Sequence, residues 1–434
     1  MQHGKTSGLS VVTSLVLAAV LGACGTIPDT QTPPPPNNGG GNFAAITPDF
    51  VAVDSAVQAD GKIVLFGLEN EHTNVEGYVI ARYNANGTPD TAFATNGRFV
   101  QATGTANTAI DLTVQPDGKI LALGKSGFPK PNPVTNTSEA YVLLRLLPDG
   151  RPDPAFTLPD RRPGAIITGD VPNVSSALGV EPDGSILVVG GTQPIASSGS
   201  PTSDVALARL LPNGTRDTAF GASGQVTVSF QSFAGTESAT STGTVVRVGP
   251  GGKILVGGFQ ERLFSGQQER VMARLTASGE LDASFGTGGR LTQGLSRQMD
   301  AQMRAVELLP GGKILVADTG NFMACETLRL NDNGTPDGTY RNGFLDLPGP
   351  TVHGRRDMPV SMLVQPDGKI VMGGCMFMGG SPSGPFVVRL NADGTRDTAF
   401  GTDGVVTVTD NRSVLRQPSG RLLAGLEPVV QIAP

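Results

Sequence analysis

A chain of 434 residues with a formal charge of −6 and 16% charged residues is long enough for two or three ordinary domains or one large repeat domain. Its acidic balance excludes a nucleic-acid binder, which needs a basic patch to neutralise phosphates. With 59 Gly, 33 Pro, 5% aromatics and no Trp, it is turn-rich and must build its core from Val, Leu, Ile and Ala.

The chain opens with "MQHGKTSGLSVVTSLVLAAVLGAC". Lys5 supplies a thin positive region, and Leu9 to Val20 is an apolar run too short to cross a bilayer. The run ends at "LGAC", Leu21 to Cys24, which resembles the lipobox of bacterial lipoprotein signal peptides. The resemblance implies that residues 1–23 are removed and that Cys24 becomes the lipidated first residue. The alternative is an ordinary secretory peptide with an incidental cysteine. An acylated Cys24 anchors a chain to a membrane without crossing it, and Gly25 in place of Asp favours onward sorting wherever an outer membrane exists. Residues 24–42 hold Cys24 and then, from Gly25 to Gly41, "GTIPDTQTPPPPNNGGG", a stiff proline spacer followed by a flexible glycine one, read as a tether. No later segment is long and apolar enough to span a bilayer.

From residue 43 to 434 self-similarity governs the chain. "VQPDGKI" occurs at Val114 and again at Val364, with looser copies at Val57, Val180, Val248 and Leu308. The turn glycine recurs at Gly61, Gly118, Gly184, Gly252, Gly312, Gly368 and Gly420, about 60 residues apart. A second motif, such as "RLLPDGRPDPAF" from Arg145 or "RLNADGTRDTAF" from Arg389, follows each of the first six. The Pro-Asp-Gly core suits a tight hairpin: Pro pre-sets φ, Asp bonds back to the backbone and Gly takes the positive φ. Each unit reads as four strands, the middle two apolar on both faces as strands sandwiched between neighbouring sheets are.

The predicted fold is therefore all-β: a seven-bladed β-propeller of four-stranded antiparallel blades. The last unit, Ser413 to Pro434, has the first turn but no Arg motif and no fourth strand. "GNFAAIT", Gly41 to Thr47, resembles the fourth strand "GRFVQAT", Gly97 to Thr103. The N-terminal strand is thus expected to complete the last blade and remove an open edge, which a solenoid would not require. The "QPDGKI" and "RLNxDGTxDxxFG" motifs resemble the delta-60 repeat of bacterial β-propellers over about 390 residues. The resemblance implies a propeller and brings no established activity and no catalytic residues.

Among candidate sites, "NADGTRD" places Asn391, Asp393 and Asp397 like the opening of a calcium loop, and Asn331 to Asp337 is similar. No bidentate Glu follows at the right distance, and other repeats fill the place with fewer oxygens. A turn closed by its own Asp is the plainer reading, so no cofactor is predicted, with calcium the candidate. An Arg and an Asp recur eight residues apart as Arg82 and Asp90, Arg145 and Asp153, Arg209 and Asp217, Arg274 and Asp282, Arg329 and Asp337, and Arg389 and Asp397. Arg leaving an apolar strand needs a partner, so these pairs are expected to tie the third strand to the turn after it.

Cys325 and Cys375 are predicted on the same rim of adjacent blades, a candidate disulfide in an exported protein. With Met323, Met372, Met376 and Met378 nearby in sequence they are also soft ligands suited to Cu(I), or simply strand packing. His3 belongs to the leader, and His72 and His353 stand alone in polar loops. No Ser–His–Asp set and no phosphate-cradling loop can be assembled.

The strand one–two and three–four turns are short and uniform, whereas the other connections, all on the opposite face, are long and differ between blades. Rigid scaffolds presenting variable loops are a common plan for binding surfaces. The expected protein is a membrane-anchored, envelope-exposed binding or scaffolding module. Its partner would be an envelope or extracellular protein or glycan, and it is expected to be a monomer that binds no nucleic acid. The alternatives are a hydrolase or lyase with its site at the channel mouth, and a calcium- or copper-handling surface protein.

Overall fold

A tight turn joins the first two strands of every blade, Gln-Pro-Asp-Gly-Lys in blades two and six and a variant of it in the others. Gln115 N–H bonds Lys119 O at 2.8 Å, Gly118 N–H bonds Gln115 O at 2.9 Å, and Asp117 Oδ1 accepts from Lys119 N–H. Gly118 sits at φ 83°, the left-handed region that closes a three-residue hairpin loop. The computed structural model describes residues 43–69, 77–102, 107–127, 139–156, 165–167, 174–192, 202–230, 239–262, 268–293, 302–319, 325–341, 343–344, 361–377, 384–410 and 412–432.

Six four-stranded antiparallel sheets and one three-stranded sheet follow in chain order. Blade one runs from Val51–Val57 to Arg98–Ala102, blade two from Asn107–Val114 to Ala165–Ile167, and blade three from Val174–Val180 to Gln225–Val228. Blade four spans Ala239–Val248 to Arg290–Gln293, blade five Gln302–Leu308 to Gly343–Phe344, and blade six Ser361–Val364 to Val405–Thr407. Blade seven holds Val414–Arg416, Leu422–Ala424 and Val430–Ile432. This is the seven-bladed propeller read from the repeats.

The core lies between blades rather than within them. Val64, Phe66, Tyr78 and Ile80 of blade one pack on Leu112, Ile120, Ala122 and Val142 of blade two. Second strands such as Ile186–Gly191 are buried at every residue, which is why their sequence is apolar without alternation. Gly124 matters here: a Cβ there would lie 2.5 Å from the Tyr78 ring, so only glycine lets that ring fit between the blades.

Closure is by the N-terminal segment. Ile46 N–H bonds Val429 O and Val429 N–H bonds Ile46 O, both at 2.9 Å, an antiparallel bridge beside the last strand. Ile46 and Val429 are buried with Ala52, Leu415 and Leu423. The expected closing strand is present as this single bridge, with Gly41 and Asn42 of the expected segment outside the described residues.

One feature is absent from the repeat pattern. The innermost strands carry a bulge, between Ala52 and Asp54 in blade one and between Ala109 and Asp111 in blade two. Blades four and five repeat it between Gly243 and Val245 and between Met303 and Ala305. A bulge re-aims the residues that follow it, and in blades one and two it turns a carboxylate toward the next blade.

Candidate functional site

The face bearing the short turns carries a circuit of polar contacts repeated from blade to blade. All six predicted Arg–Asp pairs form: Arg82–Asp90 at 2.8 Å, Arg145–Asp153 at 2.9 Å, Arg209–Asp217 at 2.7 Å, Arg274–Asp282 at 2.8 Å, and Arg329–Asp337 and Arg389–Asp397 at 2.7 Å. Each guanidinium also lies over the aromatic that ends its own motif, from Arg145 over Phe156 at 4.2 Å to Arg274 over Phe285 at 5.0 Å. Acid on the edge and ring on the face fix the planar fork.

The first turn joins the same circuit. Lys62 reaches Asp90 at 3.1 Å, Lys253 reaches Asp282 at 2.9 Å and Lys369 reaches Asp397 at 2.9 Å, with Lys313 on Asp337. The lysine of "DGK" and the arginine of the second motif thus converge on one carboxylate. Burial pushes Asp90 and Asp397 upward, but their Lys and Arg partners more than offset it and hold both below the usual range. Ser284 and Lys253 hold Asp282 well below it, and Lys313 and Thr339 do the same for Asp337.

The circuit crosses from blade to blade. Arg82 donates to Pro148 O, Arg145 to Pro212 O, Arg209 to Ala277 O at 2.6 Å, Arg274 to Asp332 O and Arg329 to Ala392 O. In each case the acceptor lies three residues beyond the next blade's own motif arginine. The glutamine before the turn does likewise: Gln58 Nε2 to Gly118 O, Gln115 Nε2 to Gly184 O and Gln417 Nε2 to Gly61 O. The predicted role, tying strand to turn, was too narrow, because the pairs also join the blades.

The calcium candidates belong to this circuit. Asp393 Oδ1 accepts from Thr395 N and Oγ1 at 2.9 and 2.6 Å, Asn391 Nδ2 donates to Thr395 Oγ1 at 3.0 Å, and Asp397 holds Arg389 and Lys369. They close a turn. Among the described residues no group of three His, Cys, Asp or Glu is placed to hold a metal.

Cys325 begins the third strand of blade five, and Cys375 lies in the second strand of blade six opposite Phe386. Their side chains, like Cys24, His72 and His353, lie outside the described residues.

A second polar cluster, not anticipated from the sequence, sits on the innermost strands. Asp54 Oδ1 accepts from Ser55 N at 2.7 Å and Oδ2 from Leu112 N at 2.7 Å. Asp111 Oδ1 accepts from the same Leu112 N at 2.8 Å and Oδ2 from Leu178 N at 2.6 Å. Two carboxyls sharing one N–H face each other, and both are only 1% exposed. Burial, and then the facing Asp111, raise Asp54 well above the carboxyl range. Burial pushes Asp111 up to about 7 despite the Leu178 N–H, Asp54 and Arg247. Such a pair holds a proton near neutrality. Titration near pH 7 is a property of catalytic acids, but here all four oxygens are engaged by backbone and neither group meets solvent. The signal available was an Asp seven residues before the turn glycine, "VDSAV" and "IDLTV", inside an otherwise apolar strand.

Further round, Arg247 lies 3.6 Å from Glu307, whose carboxyl is raised by burial against the pull of that guanidinium. Among the described residues no helix is long and apolar enough to cross a membrane.

A ring of small sheets fastened turn to turn by repeated Arg–Asp–aromatic sets defines a repeat-built β-propeller. Five segments, residues 58–93, 115–156, 181–220, 250–285 and 365–400, match the model of a family described as a domain of unknown function (DUF5122) beta-propeller. Each match ends on the aromatic beneath a motif arginine, and together they support a β-propeller repeat family. No curated protein matches the chain.

Among solved structures, Trypanosoma rangeli sialidase in complex with sialic acid is similar at 11% identity and TM-score 0.40, over 90% of this chain and 52% of that one. A Hadza microbial sialidase is similar at 9% and 0.43, over 83% and 74%. A polysaccharide lyase of family PL25, an ulvan lyase, is similar at 12% and 0.47, over 91% and 95%. The chain spans about half the length of the Trypanosoma sialidase, and no residue role is carried over from any of the three.

Proposed function

We propose that this chain is a lipid-anchored propeller of delta-60-type repeats that binds an envelope or extracellular protein or glycan through its loop face. Cys24 is the proposed anchor and residues 25–42 the tether. The supporting observation is the contrast between the two faces. Antiparallel strand order places every strand two–three and four–one connection opposite the turns. The turn face spends its arginines, lysines and aspartates on itself. The strand one–two turns keep one length in every blade, whereas the connections on the other face differ widely in length from blade to blade.

The hydrolase or lyase alternative would need carboxyls open to a substrate. Asp54 and Asp111 are sealed and fully bonded, so they lend it no support.

Site-specific photo-crosslinking in the producing cells tests the proposal. Probes at exposed Val51 and Ala102, at loop-face ends of strands, should yield a discrete adduct, and probes at exposed Asn213 and Thr218 on the turn face should not. Equal adducts from both faces would overturn the binding surface. Cys24→Ser should release the chain from the membrane fraction; retention would overturn the anchor.

A further inference from the structure

The fourth strands of blades one and four each begin with an arginine at the same register position. Arg98 lies opposite Ala81 and Arg290 opposite Ala273, each the residue before that blade's motif arginine. Blades two, three and six have Ala165, Gln225 and Val405 there. In blade one the arginine is held by two acids through its terminal nitrogens. Arg98 Nη1 donates to Asp49 at 2.6 Å, and Nη2 donates to both oxygens of Glu69, at 2.6 and 2.5 Å.

Counted from the turn glycine, blade four places Thr240 where Asp49 stands and Gln260 where Glu69 stands. The cation was kept and both acids were not. Arg290 donates one long bond, Nη1 to Gly288 O at 3.5 Å; its buried Nε, like that of Arg98, has no partner, so the two differ at the terminal nitrogens. No acid among the described residues pairs with it. Its side chain lines a cleft of about 530 Å³ between the outer edges of blades three and four, with Ser229, Phe230, Thr287, Leu291 and Thr292.

A guanidinium whose terminal nitrogens meet no carboxylate at the wall of a cleft can take a planar anion, and blade one shows which anion this position takes. We propose that the blade three–four cleft binds an acidic peptide segment, its carboxylate taking on Arg290 the place that Glu69 and Asp49 hold on Arg98. The Ser229, Thr287 and Thr292 hydroxyls are the polar partners for the peptide's remaining groups. This site is on the outer edge of the ring and is independent of the loop-face reading.

Calorimetric titration of the full-length chain with N-acetyl-glutamate amide tests it, against the neutral isostere N-acetyl-glutamine amide, acetate and sulfate at constant ionic strength. The glutamate probe should bind saturably and the glutamine probe should not. Arg290→Ala should weaken binding at least about tenfold, the loss expected for one charge-assisted contact. Arg290→Lys, which keeps the charge but not the fork, should fall between them. Arg290 supports little of the fold, so its variants should melt with the parent; Arg98→Ala, which strands two acids, should not. Equal binding of acetate or sulfate would overturn the peptide carboxylate assignment. Binding that survives Arg290→Ala, or no binding of the glutamate probe, would overturn the site.

Discussion

At the seam between blades one and two, Arg82 crosses to Pro148 O and Gln58 to Gly118 O. At the closing seam between blades seven and one, Gln417 alone reaches both Gly61 O and Ala85 O, at 2.8 and 2.9 Å, and Arg421 adds a bond to Ala85 O at 3.1 Å. The acceptors occupy equivalent positions, three residues beyond a motif arginine and on a turn glycine; the glutamine reaches the glycine at both seams, and only the donor to the other carbonyl differs. A carbonyl enclosed between blades has to be satisfied from somewhere, so the acceptor is the fixed element and the donor can change. Blade seven has no Arg motif, and Arg421, lying 5.7 Å over Phe43, takes over the crossing. The two seams differ in a second way. The regular one is fastened by buried ion pairs, the closing one by main chain at Ile46 and Val429.

Breaking the regular fastening should cost most. Arg145 and Asp153 are 4% and 3% exposed at their side chains, so Arg145→Ala leaves a buried carboxylate unpaired and should destabilise by about 3–5 kcal/mol in urea unfolding. Replacing both partners with apolar residues, Arg145→Met with Asp153→Leu, should recover much of that loss. No recovery would mean that the crossing bond to Pro212 O, rather than the pair, holds the seam. At the closing seam Ile46→Ala should cost about 2–4 kcal/mol. The loss should be local, with hydrogen exchange rising at residues 414–432 before blades two to four respond. Uniform loss of protection would show that the ring opens as one unit and that the seams are equivalent.

What could be read in advance follows the repeats. "QPDGK" and the Arg motif fixed the blade count because a turn that needs a left-handed glycine at one position leaves its mark in every copy. The Arg–Asp pairs were legible as pairs for the same reason. Their reach to the next blade was not, since the partner is a backbone carbonyl, Pro148 O or Ala277 O, which any residue supplies. The inner-strand bulge was illegible too: it is a register event, and Ala52-Val53-Asp54 carries no glycine to announce it. Asp54 and Asp111 were visible as letters, but only the bulge brings them to one N–H. Arg290 emerges only when blade four is compared with blade one, because the absence of an acid is not a motif.

The innermost contacts sharpen the comparison of seams by pH. Where blades one to three meet, the clasp is Asp54 and Asp111; where blade seven meets blade one it is Ser413 Oγ to Ser55 Oγ at 2.8 Å, and where blade six meets blade seven Ser361 Oγ accepts Val414 N at 3.0 Å. Only the first titrates. Both carboxyls are raised above their unfolded values, so the native state keeps a proton that the unfolded chain gives up between about pH 4 and pH 7. Stability should therefore fall as pH rises through that window, by on the order of 4 kcal/mol for one proton held up to about pH 7. Arg247 is the cation that limits the effect. Asp90, Asp282, Asp337 and Asp397 act in the opposite sense but below about pH 4, where their lowered carboxyls begin to protonate. The double variant Asp54→Asn with Asp111→Asn should flatten melting temperature between pH 5 and pH 8. A slope that persists in it would place the titrating group elsewhere, with Glu307 the next to test.

The smallest effect belongs to the substitute donor. Arg421→Met removes one crossing bond and one distant ring contact while Gln417 still satisfies Ala85 O, so it should cost about 1 kcal/mol. Gln417→Ala should cost more, about 2–3 kcal/mol, because Arg421 remains on Ala85 O but nothing replaces the bond to Gly61 O. Removing both should cost more than the sum, since only then is Ala85 O left without a donor. A double-variant loss that is merely additive would mean that water reaches Ala85 O at the closing seam. The fixed-acceptor account would then fail at the one place where the donors were exchanged.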